Sequence, residues 1–167
     1  MRFCRRCKRP VGSSWRTDET YIKVSGQWKY LYRAVDRAGD TVDFLLTAKR
    51  DGAAARRFLE RAINLHDVSE KITIDKRGVN TAAIESVKTG ACVEIVLRQN
   101  KYLNNIVEQD HWGVKRVIQP MLGFKSFWRE KIIIAGIETM HMIKKGQMNR
   151  PGGQTMVAAN QFYSLAA

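Results

Sequence analysis

Three carboxylates, Asp18, Asp75 and Glu108, stand where a fold could gather them. Asp18 shares a segment in which Thr20, Ile22 and Val24 alternate with Tyr21 and Lys23, the period of a strand. Asp75 closes a second alternating segment, Lys71–Asp75, and Glu108 lies on the polar side of a helical one. Lys115 follows Glu108 by seven residues, within about 20° of it around a helix. Carboxylates drawn to one point repel each other unless a cation sits between them. Their hard oxygens suit Mg²⁺ or Mn²⁺ and not zinc. Two such ions about 3.5–4 Å apart can activate an attacking oxygen and stabilise the leaving oxygen of a phosphodiester. Lys115 would then meet a phosphate near the scissile bond. Spacing alone leaves a plainer alternative open: among 16 acidic residues, two solvated strand-end aspartates and an exposed helix glutamate would look the same.

The elements that must position these residues can be read from periodicity. Asp18–Val24, Trp28–Val35 and Thr41–Leu46 are expected as an antiparallel meander, with turns at Ser25–Gly26 and Arg37–Asp40. Asp51–Ile63 follows as a helix with Asp51 as N-cap, its apolar side being Ala54, Ala55, Phe58, Leu59 and Ala62. Then come a strand at Lys71–Asp75, a short helix at Asn80–Lys88, a strand at Val93–Leu97, and helices at Asn104–Ile118 and Ser126–Lys144, the last stopped by Gly146. Three meander strands followed by β-α alternation define an α/β fold: a mixed five-stranded sheet flanked by helices. In such a sheet the first and fourth strands can lie side by side and bring Asp18 near Asp75.

Composition narrows the partners. The 167 residues carry 29 Lys+Arg against 16 Asp+Glu, a net charge of +13, which points to a polyanion, with nucleic acid ahead of an anionic membrane surface. The length suits one domain, and 44% hydrophobic content suffices for a core. The longest apolar run, around Ile132–Ile134, is far short of the roughly 20 residues of a membrane span. The basic N-terminus is followed by no apolar run, so no secretory signal is expected there; the three cysteines make no disulfide framework, so a reducing compartment is expected.

Other residues invite chemistry and have plainer readings. Cys4-x-x-Cys7 is half of a zinc site; its possible partners, Cys92, His66, His111 and His141, are all distant in sequence. Asp110 falls toward the apolar side of the Glu108 helix, which suits a buried hydrogen bond or helix packing, whereas His111 could assist at the metals. Glu19 points to the strand face opposite Asp18 and is expected to pair with a base. Tyr21, Trp28, Tyr30 and Tyr32 could stack on nucleobases, but core or cross-strand pairing is the favoured reading. Met140 and Met142 are read as helix packing and surface.

The motifs Trp15-Arg-Thr-Asp18-Glu-Thr-Tyr-Ile-Lys-Val24, Lys29-Tyr-Leu-Tyr-Arg-Ala-Val-Asp36 and Ile72-Thr-Ile-Asp75-Lys76 form a distinctive series. Arg98-Gln-Asn-Lys-Tyr-Leu-Asn-Asn105, Glu108-Gln-Asp-His111, Lys115-Arg116 and Gly123-Phe-Lys-Ser126 continue it. Together they closely resemble the DDE transposases of bacterial insertion sequences, specifically the IS-six family (the IS-twenty-six-like elements). The likeness runs from about Ser14 to Gln147, and Gln161–Ala167 also resembles a family C-terminus. It implies a ribonuclease-H-like, retroviral-integrase-type core. Asp18, Asp75 and Glu108 would hold two Mg²⁺ (or Mn²⁺) ions, and Lys115 would be the basic residue that follows the third acid. The implied activity is DNA transposition through 3′-end cleavage and strand transfer. The implied partners are DNA, as element ends and target, and further copies of the chain as a homodimer or higher oligomer, in the bacterial cytoplasm at the nucleoid. Lys76, Lys101, Asn104, Asn105, Lys115, Arg116 and Lys125 are the candidate DNA contacts; capping of the helix is the alternative for Asn104 and Asn105.

Two departures from the family pattern stand out. Only a basic arm, residues 1–13, precedes the core at 14–147, where the family carries a helix-turn-helix module that reads element ends; residues 148–167 are expected as a loose tail. The chain is thus expected to be N-terminally truncated and to bind DNA weakly and in a salt-sensitive way. The alternative function is a catalytically silent fragment that binds DNA or full-length transposase and interferes. The second departure is Trp112, four residues after Glu108, where a basic residue is usual; it could stack on a base or mark a local packing change.

Overall fold

The computed structural model describes residues 8–74, 78–91, 94–100, 105–121, 124–149 and 157–164. Strands β1 (Ser14–Val24), β2 (Gln27–Asp36) and β3 (Thr41–Thr47) form the expected meander. Helix α1 (Gly52–His66), β4 (Lys71–Ile74), α2 (Gly78–Ala91) and β5 (Val96–Gln99) follow. Helix α3 (Asn105–Ile118) then leads through a 3₁₀ turn (Gln119–Met121) to α4 (Phe127–Lys144) and α5 (Ala158–Ser164).

The five strands form one sheet in the order β3-β2-β1-β4-β5. β1 runs antiparallel to β2 and parallel to β4, so the first and fourth strands are neighbours as expected. The β1–β2 turn has positive φ at both Ser25 (47°) and Gly26 (78°), the two-residue hairpin geometry that matches strand twist. Asp36 builds the next turn: its Oδ1 accepts from the N–H groups of Ala38 and Asp40, both at 2.9 Å. Asp51 caps α1 as expected, its Oδ1 accepting from the Ala54 N–H at 2.7 Å.

Alternation along β1 sends its residues to two different cores. Trp15 faces α1 and α2 and packs with Tyr32, Phe58, Leu59, Ile72, Ile74 and Ile84. Ile22 and Val24 face the other way and pack with Leu31, Leu46, Val114, Ile118, Phe124 and Ile134. Asp18 is in phase with Ile22 and Val24, so it belongs to the α3 side of the sheet.

Two elements differ from the sequence reading. β5 is 96–99 and not 93–97: it is an edge strand paired to β4 through Lys71–Val96 and Ile74–Gln99, so polar Arg98 and Gln99 sit in it at no cost of burial. The stretch read as a loose tail is packed where it is described. Met148 is buried and bridges Lys8, and Met142, Ile143 and Met148 pack against Ala158 and Phe162. Gly146, at φ 68°, turns the chain after α4 so that Gln147 can bond the Thr41 N–H (2.9 Å) and carbonyl (2.8 Å). These contacts are made by isolated polar and apolar residues with no periodic pattern. Among the described residues no helix is long and apolar enough to cross a membrane.

Candidate active site

Asp18 lies in the middle of β1, and Arg33 is its partner across the β2 ladder. On the other side Thr17 pairs with Ile74, the last described residue before Asp75. Asp75 itself lies outside the described residues, as do Lys76, Lys101, Asn104 and all three cysteines. Lys8 Nζ lies 3.3 Å from His66 Nε2.

Helix α3 crosses this point. Val107, Val114 and Ile118 are buried, which turns Glu108, Trp112 and Arg116 outward. Glu108 sits in the first turn, where the aligned peptide dipoles favour a negative charge. His111 Nε2 is 3.7 Å from Asp18 Oδ2, with the Asp18 side chain 19% exposed. Residues three apart on a helix are neighbours, so Glu108 stands one turn from the imidazole that touches Asp18. His111 is itself buried, which pushes its pKa down to about 3, aided by the positive charges of Arg33 and Lys115. The ring beside Asp18 is therefore neutral at pH 7.

The other predicted contacts divide by position. Asn105 and Arg116 are exposed on α3, and Lys115 is half-buried there. Lys125 is exposed but remote from Asp18: the Ser25 hydroxyl donates to its carbonyl at 2.9 Å, at the hairpin tip, about 20 Å along β1 from Asp18. Trp112 is 72% exposed, so it fills no packing defect within the described residues. Glu19 pairs with Arg50, as expected. Of the aromatics, Tyr32 is core and stacks on Phe58, whereas Tyr21 makes edge contacts with Trp28 and Tyr30 on the surface. Met142 is buried in the cluster beside Met148, and Met140 packs against it.

Behind α3 lies a charged network that the sequence reading missed. Arg33 is fully buried, and its guanidinium pairs with Asp110 Oδ2 at 3.0 Å and with Glu138 of α4. Lys145 Nζ donates to both Asp110 oxygens, at 2.8 and 2.6 Å, and to the Gly39 carbonyl at 2.6 Å. Asp110 thus takes the buried role read from its helix position, but as an ion-pair hub. The available signal was Arg33, a charge in the middle of the strand Tyr30-Leu-Tyr-Arg-Ala-Val35. Gly113 assists: a Cβ there would stand 3.0 Å from His141 Cε1, so the absence of a side chain lets α3 approach α4.

Among the described residues no three His, Cys, Asp or Glu groups form a metal cluster. Asp18 and Glu108 carry hard carboxylate oxygens, the donor type that an oxygen-seeking divalent ion takes.

The fold is similar to that of solved retroviral integrase cores. The catalytic core domain of HTLV-2 integrase, solved with magnesium in a trimeric form, matches 94% of this chain and 85% of its own at TM-score 0.55 and 13% identity. The catalytic core domain of BIV integrase matches 92% of this chain and 95% of its own at TM-score 0.59 and 15% identity. The fold is therefore the ribonuclease-H-like, integrase-type core.

The sequence places the chain more finely. Residues 12–147 match the DDE_Tnp_IS240 family model, a DDE domain, and the chain belongs to that family. It is 35% identical over 132 residues to the transposase for insertion sequence-like element IS431mec of Staphylococcus aureus, covering 78% of this chain and 58% of that protein. The transposase for insertion sequence element IS257 in transposon Tn4003, also from Staphylococcus aureus, matches to the same extent. The resemblance to IS-six transposases is thus supported, and the chain spans a little over half the length of these relatives.

Proposed function

We propose that this DDE domain is the catalytic core of a polynucleotidyl transferase that performs metal-dependent 3′-end cleavage and strand transfer of an insertion sequence. The observation that carries the reading is the approach of α3 to Asp18, with a neutral His111 beside the carboxylate and Glu108 one turn away. Asp18, Glu108 and the sequence-assigned Asp75 would hold two Mg²⁺ or Mn²⁺ ions. When bound, these supply activation of the attacking oxygen and charge stabilisation of the leaving one.

The chain's own residues do the rest. Asp18 is held in place by the strand ladder, in register with Arg33 on β2. Lys115 lies two turns beyond Glu108 and supplies a cation for a phosphate next to the scissile bond. In the first step water attacks phosphorus and the P–O3′ bond breaks, leaving a 3′-hydroxyl. In the second that hydroxyl attacks a target phosphorus, forming a new P–O bond and releasing a target 3′-oxygen. No covalent enzyme intermediate is needed, so alignment is the protein's task. Asn105, Lys115, Arg116 and the sequence-assigned Lys76, Lys101 and Asn104 are proposed to hold DNA near the acids; Lys125 would touch it farther along. Two ends must be joined in one event, so a homodimer or larger assembly is proposed.

The test is nicking and strand transfer on labelled element-end DNA with Mg²⁺ or Mn²⁺. The expected result is activity that disappears in Asp75→Asn and Glu108→Gln. Salt-sensitive DNA binding with no cleavage in either metal would overturn the catalytic reading and favour an interfering fragment.

A further inference from the structure

We propose that Asp110 is a positioning residue for the acidic site: held by Arg33 and Lys145, it fixes the rotation and height of α3 and so the place of Glu108 relative to Asp18. The inference rests on the reading of Asp18 and Glu108 as metal-holding acids.

Four observations carry it. First, Arg33 is the ladder partner of Asp18, so the anchor for α3 is built on the same rung of the sheet as the first acid. Second, Asp110 lies two residues after Glu108, about 200° around the helix, so the carboxylate that points inward dictates where the outward one points. A slip of one residue would turn Glu108 by about 100° and move it about 1.5 Å along the axis. Third, the apolar contact of α3 is narrow: Val107, Val114 and Ile118 are its buried hydrophobic residues, and such a strip resists sliding and rotation poorly. Fourth, the network reaches three elements. Arg33 ties Asp110 to β2, and Lys145 ties it to the end of α4 and, through the Gly39 carbonyl, to the β2–β3 turn.

Three buried charged groups and a partly exposed lysine are a poor way to gain stability, because apolar residues of similar volume often do as well or better. Their advantage is direction. Lys145 bonds both Asp110 oxygens while Arg33 approaches one of them, an arrangement that only one orientation of α3 satisfies.

The test separates positioning from mere stability by reading Mn²⁺ binding directly, by electron paramagnetic resonance titration of the full chain. Asp43→Asn is the control, because Asp43 is equally buried and pairs with Arg61 at 2.7 Å on the opposite side of the sheet. Asp110→Asn is expected to weaken Mn²⁺ binding about tenfold or more, the usual effect of losing a group that orients a ligand. Asp43→Asn is expected to lower the melting temperature by a similar amount and leave Mn²⁺ affinity within about twofold of the parent. Lys145→Met, a milder change at a partly exposed side chain, is expected to fall between the two and stands in should Asp110→Asn not fold. Parent-like affinity in the folded Asp110 and Lys145 variants, or equal weakening in Asp43→Asn, would overturn the proposal alone. Parent binding that Glu108→Gln does not reduce would overturn the acid-site reading and the proposal with it.

Discussion

The two faces of the sheet solve different problems. On the α1–α2 face, fifteen buried hydrophobic residues among those described make one continuous core, and the ion pairs Glu19–Arg50 and Asp43–Arg61 sit at the rim with partly exposed arginines. On the α3–α4 face the apolar cluster has eight buried residues among those described, and a fully buried Arg33 stands among Asp110, Glu138 and His111. The first face gains stability from area removed from water, which is indifferent to direction. The second gives up part of that gain for groups whose geometry is directional. The directional face is the one that carries Asp18, the acid proposed to hold metal.

This contrast can be broken at either face. The largest loss of stability is expected from Phe58→Ala on the apolar face, about 3–5 kcal/mol, read by denaturant unfolding. Arg33→Met should cost a comparable amount, about 3–5 kcal/mol, because Glu138 is left buried without its ion-pair partner and Asp110 keeps only Lys145. The two should respond differently to repair. Adding Asp110→Leu and Glu138→Leu to Arg33→Met is expected to recover most of the stability, while strand transfer stays lost. If activity returned with stability, the charged face would be a second core and nothing more.

Glu130 sharpens the comparison through pH. Its carboxyl is buried on α4 with no hydrogen-bond partner among the described residues, and burial pushes its pKa up to about 7, partly offset by Lys29. The unfolded carboxyl ionises near 4.5, so between about 4.5 and 7 the unfolded state holds fewer protons and stability falls as pH rises. Glu130→Gln is therefore expected to raise the melting temperature by several degrees at pH 8 and to change it little at pH 4. Thermal scans across pH would check this; an unchanged slope would place the titration elsewhere.

The smallest effect on stability is expected at Trp112. Its indole is 72% exposed, so Trp112→Ala should alter unfolding by no more than about 0.5 kcal/mol. The same substitution should weaken single-stranded DNA binding by about 1–3 kcal/mol if the ring stacks on a base. Fluorescence anisotropy with a labelled oligonucleotide separates the two quantities.

Periodicity alone located the meander, α1, α3 and α4, because each has an apolar side that only one backbone geometry can bury. The phase of Asp18 against Ile22 and Val24, and of Glu108 against Val107 and Val114, was also local information. So was the inward turn of Asp110, since helix rotation follows from residue number. The identity of its partners was not local. Arg33, Asp110, Glu138 and Lys145 are held together by ion pairs between groups up to 105 residues apart. No spacing rule links such residues; they meet because β2, α3 and α4 close on one side of the sheet. The same holds for Met148, Gln147 and α5, whose contacts involve single residues that have no period of their own. Sequence determined which residues must turn inward and which chemistry the outward acids could do. Tertiary structure decided which inward charge meets which, because the energy of a buried ion pair depends on distance and direction, and these exist only after the elements have packed.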